Sequence, residues 1–227
     1  MKITKVRLET GKFEEMKAFY LEELGFSLNE QSETTFSVSA GSSELIFSKA
    51  SGERKPFYHF AFNINAGHFK EAKKWIASKV ELNKENGEDE VYFRAFDADS
   101  FYFEDPAGNI IEIIGRYSNS TKHIGAFSIN QLLNVSEINV TTPDVSKAAE
   151  ALREEGVLSE KKMIHPQELN FVGEGEAFIL LGPPKRTWYF SDRKAEIHRT
   201  VIEVNNDKRI EVDDTGTVTV TEVRQPI

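Results

Sequence analysis

Three stretches of the chain repeat one pattern, in which alternating apolar and polar positions are followed by apolar positions at helical spacing. They begin VRLETGKF, HFAFNINAGHF and INVTTPDV. Each predicts a strand and then a helix, and Pro143 is predicted at the first position of the third helix. The predicted helical stripes are Phe13, Met16, Phe19, Tyr20 and Leu24; Phe69, Ala72, Trp75 and Ile76; and Val145, Ala148, Ala151 and Leu152.

Short strand-like runs follow the first two predicted helices. TFSVSA and SELIFSK follow the first, and EVYFRAF and the run FYFEDPAGNIIEIIGR follow the second. In the latter, Pro106 and Gly108 supply turn chemistry, so the run predicts a hairpin. We therefore expect an α+β fold of tandem β-α-β-β-β modules. A third, partly degenerate module and C-terminal strands complete it, with a final hairpin turning at 213–216.

Strand parity selects the candidate polar residues, because successive side chains point to opposite faces. Glu112 shares a face with Ile110 and Ile114, as the one carboxylate in an apolar run. His59 lies opposite the bulky apolar positions of the second module. By the same rule the candidates of the first strand are Lys5 and Arg7, and Tyr102 belongs with Ser100 and Glu104.

Composition narrows the chemistry. The 227 residues include no cysteine, which excludes disulfides, thiolate metal sites and a cysteine nucleophile. The formal charge of −9 and the scattered basic residues do not favour nucleic acid as a partner. No apolar run approaches the ~20 residues that span a bilayer, and MKITKVRLET lacks the apolar core of a signal peptide. We expect a cytoplasmic protein without a membrane partner.

The runs AFYLEELGF, YHFAF and YFEDPAGNIIEI together resemble the vicinal oxygen chelate superfamily, the glyoxalase, bleomycin-resistance and extradiol dioxygenase group, over about the first half of the chain. The region 133–205 is similar to the C-terminal part of some bacterial members. The resemblance implies that pairs of modules form a cupped mixed sheet with any metal inside the cup. It suggests a two-module domain at 1–117, a connector at 118–134 and a third module with a C-terminal hairpin at 135–227.

The resemblance also implies which positions supply the metal ligands, and this sequence departs from the family pattern at one of them. The matching positions are Lys5, His59 and Glu112, with Glu44 as a further carboxylate. A protonated lysine has no lone pair for a metal. Two alternatives follow: one divalent ion (Fe, Mn, Zn or Ni) held by His59, Glu112 and Glu44, or no metal, with a Lys5–Glu112 ion pair in its place. Glu137 aligns with Lys5 and His59, but a lone carboxylate is no ligand set, so we expect the third module to be scaffold or one wall of a second cleft.

Three functions stay open for this small-molecule cleft. The first is a divalent-metal-dependent lyase, dioxygenase or transferase acting on adjacent substrate oxygens, with His59 and Glu112 as catalytic residues. The second is a metal-free binding or drug-sequestering protein. The third is metal-free catalysis with His59 as base and Lys5 as electrostatic stabiliser. Lys5, Arg7 and Tyr102 are the candidate substrate-binding residues, and a homodimer through unmatched third modules is a further hypothesis.

Overall fold

The computed structural model describes residues 1–119 and 125–223, whose strands form one 14-stranded mixed sheet. The first module comprises β1 (Ile3–Thr10), α1 (Phe13–Ala18) with a π-helical turn (Phe19–Glu23), β2 (Leu28–Gln31), β3 (Thr35–Ala40) and β4 (Ser43–Lys49). The second comprises β5 (His59–Asn65), a 3-10 turn (Ala66–His68), α2 (Phe69–Ala77), β6 (Val91–Phe93), β7 (Ala98–Glu104) and β8 (Ile110–Arg116). The third comprises β9 (Leu132–Thr141), α3 (Val145–Glu154), β10 (Asn170–Glu174) and β11 (Ala177–Gly182). The C-terminal strands are β12 (Thr200–Val204), β13 (Lys208–Val212) and β14 (Val218–Glu222). The predicted α+β fold of repeated modules is confirmed.

The modules do not pair in the order of the sequence. The second module pairs with the third, because β5 lies antiparallel to β9 from Phe60 opposite Ile138 to Ile64 opposite Leu132. The first module pairs with the C-terminal strands through antiparallel β1 and β12. In the register of the sheet, β1 meets β9 only at Ile3 opposite Val135. The predicted division at 1–117 and 135–227 stays a prediction, but the sheet is continuous across it.

The two faces of the second module carry separate apolar clusters, as parity predicts. Phe60, Phe62 and Ile113 belong to the large core beneath the helices. The opposite face carries Ala61 and Ile114, and we call it the cup face. The 17-residue connection at 183–199, between β11 and β12, covers part of the cup face with two buried aromatic side chains, Trp188 and Phe190.

Local hydrogen bonds fix the ends of the strands on which the site residues lie. Asp105 accepts bonds from the backbone N–H groups of Ala107 and Asn109, which closes the predicted hairpin. The side chain of Asn109 then accepts the backbone N–H of Tyr58 at 2.8 Å, so the start of β8 is fixed beside the start of β5. In the third module Asp144 caps α3 through the N–H of Lys147. The prediction of Pro143 as the first helical residue is wrong, because it precedes this cap.

The final hairpin is confirmed, with β13 ending at Val212 and β14 beginning at Val218 around the turn at 213–216. Among the described residues, no helix is long and apolar enough to cross a membrane.

Candidate metal centre in an aromatic cavity

Three buried polar side chains from three adjacent strands meet on the cup face. His59 lies on β5, Glu112 on β8 and Glu137 on β9. Ala61 of β5 is opposite Glu112 on one side and opposite Glu137 on the other, so the register brings both carboxylates to the same level of the sheet. One ligand atom from each of the three lies within 4.8 Å of the others. We call this group the His59–Glu112–Glu137 trio.

The ring of His59 is oriented for ligation. Its Nδ1 lies 3.0 Å from the carbonyl oxygen of Ile110, and a carbonyl can only accept, so Nδ1 carries the proton. The lone pair is therefore on Nε2, which lies 3.6 Å from a carboxylate oxygen of Glu112. Burial lowers the pKa of His59 to about 4, opposed by the Ile110 carbonyl and reinforced by the charge of Arg186. The imidazole is thus neutral at pH 7, the form that binds metals.

The two carboxylates resist ionisation in this position. Burial raises the pKa of Glu112, against the effects of the Ser100 and Tyr102 hydroxyl groups and the charge of Arg116. Burial and then the charge of Glu112 raise the pKa of Glu137 to about 8, against the charge and hydrogen bond of Arg116. Two buried carboxyl groups this close are more stable when they share one proton than when both are ionised. A divalent cation would reverse that preference.

Arg116, at the end of β8, already places one cation beside the trio. Its Nη2 donates to Glu137 at 3.1 Å, and its Nη1 donates to Asn63 and, at 2.8 Å, to the Ser136 hydroxyl. The guanidinium also lies 5.7 Å from the centre of the Phe178 ring. Glu137 is therefore partly neutralised from one side, while Glu112 and His59 face the remaining space.

The trio opens into a cavity of about 270 Å³ with mainly apolar walls. Six of the lining residues have aromatic side chains: Phe93, Phe96, Tyr102, Phe171, Trp188 and Tyr189. Trp188 lies 4.8 Å from the His59 ring, and Phe190 stacks on Tyr102 at 4.7 Å with an angle of 14° between the rings. A cavity of this size with aromatic walls and polar groups at one point suits a small planar ligand.

The structure brings together three of the residues predicted from the sequence, namely His59, Glu112 and Tyr102. It does not bring Lys5 to them, because β9 and β5 separate β1 from β8 in the sheet. Lys5 instead pairs with Glu44 of the parallel strand β4, at 3.2 Å. The expected Lys5–Glu112 ion pair is therefore wrong, and the carboxylate of Glu44 lies with Lys5 rather than with His59.

Arg7 is also placed elsewhere, in a separate polar depression that includes Glu9 and Arg199. Four residues that sequence reasoning did not assign to the site line it or contact it: Arg116, Glu137, Arg186 and Trp188. The alignment of the third module on the second had put Glu137 at the position of His59, which was a usable signal. The expectation that Glu137 is a lone carboxylate is wrong, because the pairing of β9 with β5 brings it to His59 and Glu112.

The residues present fit a divalent metal. One imidazole nitrogen and two carboxylates form a hard, three-ligand set of the kind that suits Fe(II), Mn(II) or Zn(II) and leaves positions open for a substrate. The Nδ1 bond to Ile110 supplies the outer contact that metal-binding histidines usually make. The fold and the trio thus define a cupped-sheet protein of repeated modules with a candidate metal centre.

Comparison with known families agrees with this class. Residues 2–113 match the model of the glyoxalase/bleomycin resistance protein/dioxygenase superfamily, and through them the chain belongs to that superfamily. Residues 135–186, which contain Glu137, match the model of the toxoflavin-degrading enzyme family. A comparison with curated protein sequences finds no match.

A solved structure that is similar over the whole chain shows the same fold, and two others are similar over about half of it. A candidate dioxygenase from Bacillus subtilis is 14% identical, with a TM-score of 0.57 over 100% of this chain and 86% of its own. A lactoylglutathione lyase from Agrobacterium tumefaciens is 17% identical over 50% of this chain and 92% of its own, with a TM-score of 0.41. A fosfomycin resistance protein from Listeria monocytogenes, solved with Mn(II) and a dihydroxypropylphosphonic acid, is 16% identical over 52% and 93%, with a TM-score of 0.40.

Proposed function

We propose that the chain is a divalent-metal-dependent enzyme acting on a small planar molecule with adjacent oxygen or nitrogen atoms. The observation that carries this proposal is the position of the His59–Glu112–Glu137 trio against the aromatic cavity. The superfamily match and the match to the toxoflavin-degrading family over the third module support an enzyme of this kind.

His59, Glu112 and Glu137 would hold the metal. When bound, the ion would act as a Lewis acid on adjacent substrate atoms. The chain's own residues would do the rest: the aromatic walls stack on the substrate and exclude water, while Arg116 holds Glu137 through Nη2. Tyr102, whose pKa is raised by burial and by the charges of Glu112 and Glu137, keeps its proton and can donate it in a hydrogen bond.

A metal-free binding protein is the second candidate, and Arg116 favours it. Its guanidinium already hydrogen-bonds Glu137 without any metal, and the raised pKa values of Glu112 and Glu137 allow the two carboxyl groups to retain a proton between them. Such a cavity would bind a small aromatic molecule without acting on it. The two candidates differ in whether the trio binds a metal stoichiometrically.

Calorimetric titration of metal-stripped protein with Mn(II), Fe(II), Zn(II) and Ni(II) tests the proposal. We expect one ion per chain at micromolar affinity or tighter, lost in Glu112→Gln. The matched control is Glu44→Gln, which neutralises a carboxylate paired with Lys5 outside the cavity and should leave binding unchanged. Absence of binding by all four ions would refute the metal enzyme and favour the metal-free protein.

A further inference from the structure

One arginine in the cavity wall has an unusual hydrogen-bonding state. Arg186 lines the cavity together with the trio. Its Nε and Nη2 atoms are buried and have no hydrogen-bond partner among residues 1–119 and 125–223. Only Nη1 is engaged, donating to the carbonyl oxygen of Thr187 at 3.0 Å. Leaving charged donors buried without partners is costly, so this arrangement calls for an explanation.

The two free nitrogen atoms form one edge of the guanidinium. Nε and Nη2 carry parallel N–H groups, and this edge pairs with the two oxygens of a carboxylate or of a phosphate-type group. The face of the same guanidinium lies 4.0 Å from the centre of the Trp188 ring. Stacking fixes the plane of the side chain, so the free edge is held in one orientation.

The backbone around Arg186 is also fixed. Its carbonyl accepts the N–H of Ala195 at 2.7 Å, and the N–H of the preceding Lys185 donates to the Ala195 carbonyl at 2.7 Å. The N–H of Trp188 donates to the Arg193 carbonyl at 3.0 Å. The segment that carries Arg186 is therefore a pinned loop rather than a free connection, and its side chain is positioned before any ligand arrives.

The balance of charges in the cavity also favours an anionic ligand. Metal binding would ionise both carboxyl groups, and the charges of Glu112 and Glu137 together would then balance those of Arg116 and Arg186. A divalent ion at the trio would then leave two positive charges uncompensated in an apolar cavity, which is unfavourable unless an anion enters. The cavity of about 270 Å³ is slightly smaller than the sites of drug-sized ligands, which begin at about 300 Å³.

We propose that Arg186 is a specificity-determining residue that binds the negatively charged group of the substrate through its Nε–Nη2 edge. The substrate class is then a small aromatic anion, with an aromatic ring stacked in the cavity and a carboxylate or similar oxyanion on Arg186. This inference deepens the proposed function and rests on it in two respects: it takes the cavity as the substrate site, and its charge balance assumes a divalent ion at the trio.

Two pairs of probes test the assignment by calorimetry. Benzoate and benzamide have nearly the same shape and differ in charge, and 3,4-dihydroxybenzoate and its amide add adjacent oxygens for the metal. We expect each acid to bind at least about tenfold more tightly than its amide, because a hydrogen-bonded charge contributes about that factor. In Arg186→Met, which keeps the packing on Trp188, the preference should disappear while affinity for the amides is retained. Arg186→Lys keeps the charge without the paired donors, so it should retain only part of the preference.

Arg193→Met is the matched control. Arg193 also stacks on an aromatic ring, Phe57, at 4.6 Å, but it pairs with Glu104 outside the cavity, so the preference for acids should persist. Equal affinity for acid and amide in the wild type, an unchanged preference in Arg186→Met, or no binding of any probe would overturn the assignment.

Binding of benzoate or benzamide needs no metal, so this pair of probes tests the anion subsite independently of the metal centre. A preference for benzoate that depends on Arg186 in a protein that binds no metal would retain the anion subsite and reject the metal enzyme. Metal binding at the trio without any such preference would reject the subsite alone.

Discussion

Glu137→Gln tests whether the third module completes the candidate metal centre. The substitution keeps the shape of the side chain and an oxygen that can accept from Arg116, which lies 3.1 Å away. It removes the charge that a divalent ion would require. Loss of an outer contact to a metal ligand costs about 10–100-fold in affinity, so loss of a direct carboxylate ligand should cost at least about 100-fold for Mn(II).

The pH dependence of metal binding provides a second test of Glu137→Gln. Because burial and the charge of Glu112 raise the pKa of Glu137, the two carboxyl groups retain a proton between them at pH 7. A metal must displace that proton, so the metal affinity of the wild type should rise with pH, by up to about tenfold per pH unit, until the free protein has lost the proton. Metal binding at pH 7 should release close to one proton. In Glu137→Gln both the slope and the proton release should become smaller, because only Glu112 is left with a raised pKa.

Calorimetry in two buffers of different ionisation enthalpy measures affinity and proton release together. Glu44→Gln is the control for removal of a carboxylate from the sheet, since its partner Lys5 lies away from the trio. Circular dichroism establishes that each variant is folded. Wild-type affinity and an unchanged pH slope in Glu137→Gln would refute the role of this residue, and with it the pairing of the second and third modules as the basis of the site.

Three further outcomes follow from the described contacts. Asp105→Ala should lower the free energy of unfolding in urea by about 2–4 kcal/mol, because it leaves the buried hydroxyl of Tyr20 and the turn N–H groups without their acceptor. The pKa of His59 is lowered to about 4 in the folded chain, so protonation of His59 opposes folding. From pH 7.5 to pH 5 the wild type should therefore lose about 2 kcal/mol more stability than His59→Gln. Equal losses of stability in the two proteins, measured by urea titration at both pH values, would contradict this. Lys5→Met should leave Mn(II) affinity unchanged by calorimetry, because its partner is Glu44; a tenfold change would contradict the observed placement.

The local elements and their faces could be predicted from the sequence, because both follow from short-range patterns. Period-two alternation in β5 and β8 put His59 and Glu112 on the cup face, and the turn residues of the DPAGN run fixed the hairpin that positions Glu112. Helical spacing identified all three helices. Each of these inferences needs only the neighbours of a residue along the chain.

The partner of each module could not be predicted in the same way. β5, the first strand of the second module, has one apolar and one mixed face. It could pair with β1 or with β9 without any change in the alternation of its own residues. The choice depends on packing between distant segments, which the hydrophobic pattern does not encode. This one choice moved Lys5 out of the site and Glu137 into it. Arg186 and Trp188 were missed for a different reason, because the connection that carries them has no regular period.

The two halves of the sheet differ in how their equivalent polar positions are neutralised, and this difference locates the candidate chemistry. Lys5 on β1 is flanked by Glu44 of β4 and by Glu203 of β12, and Glu203 in turn pairs with Arg209 at 3.3 Å. The Lys5–Glu44 pair is also 40% and 26% exposed at its two side chains, so water screens it. In the other half the aligned position is Glu137 and the side chains are nearly fully buried; Arg116 pairs with Glu137, while Glu112 faces the neutral imidazole of His59. Because burial leaves Glu112 little contact with water, a retained proton or a cation would stabilise it, and the candidate metal centre therefore lies between the second and third modules.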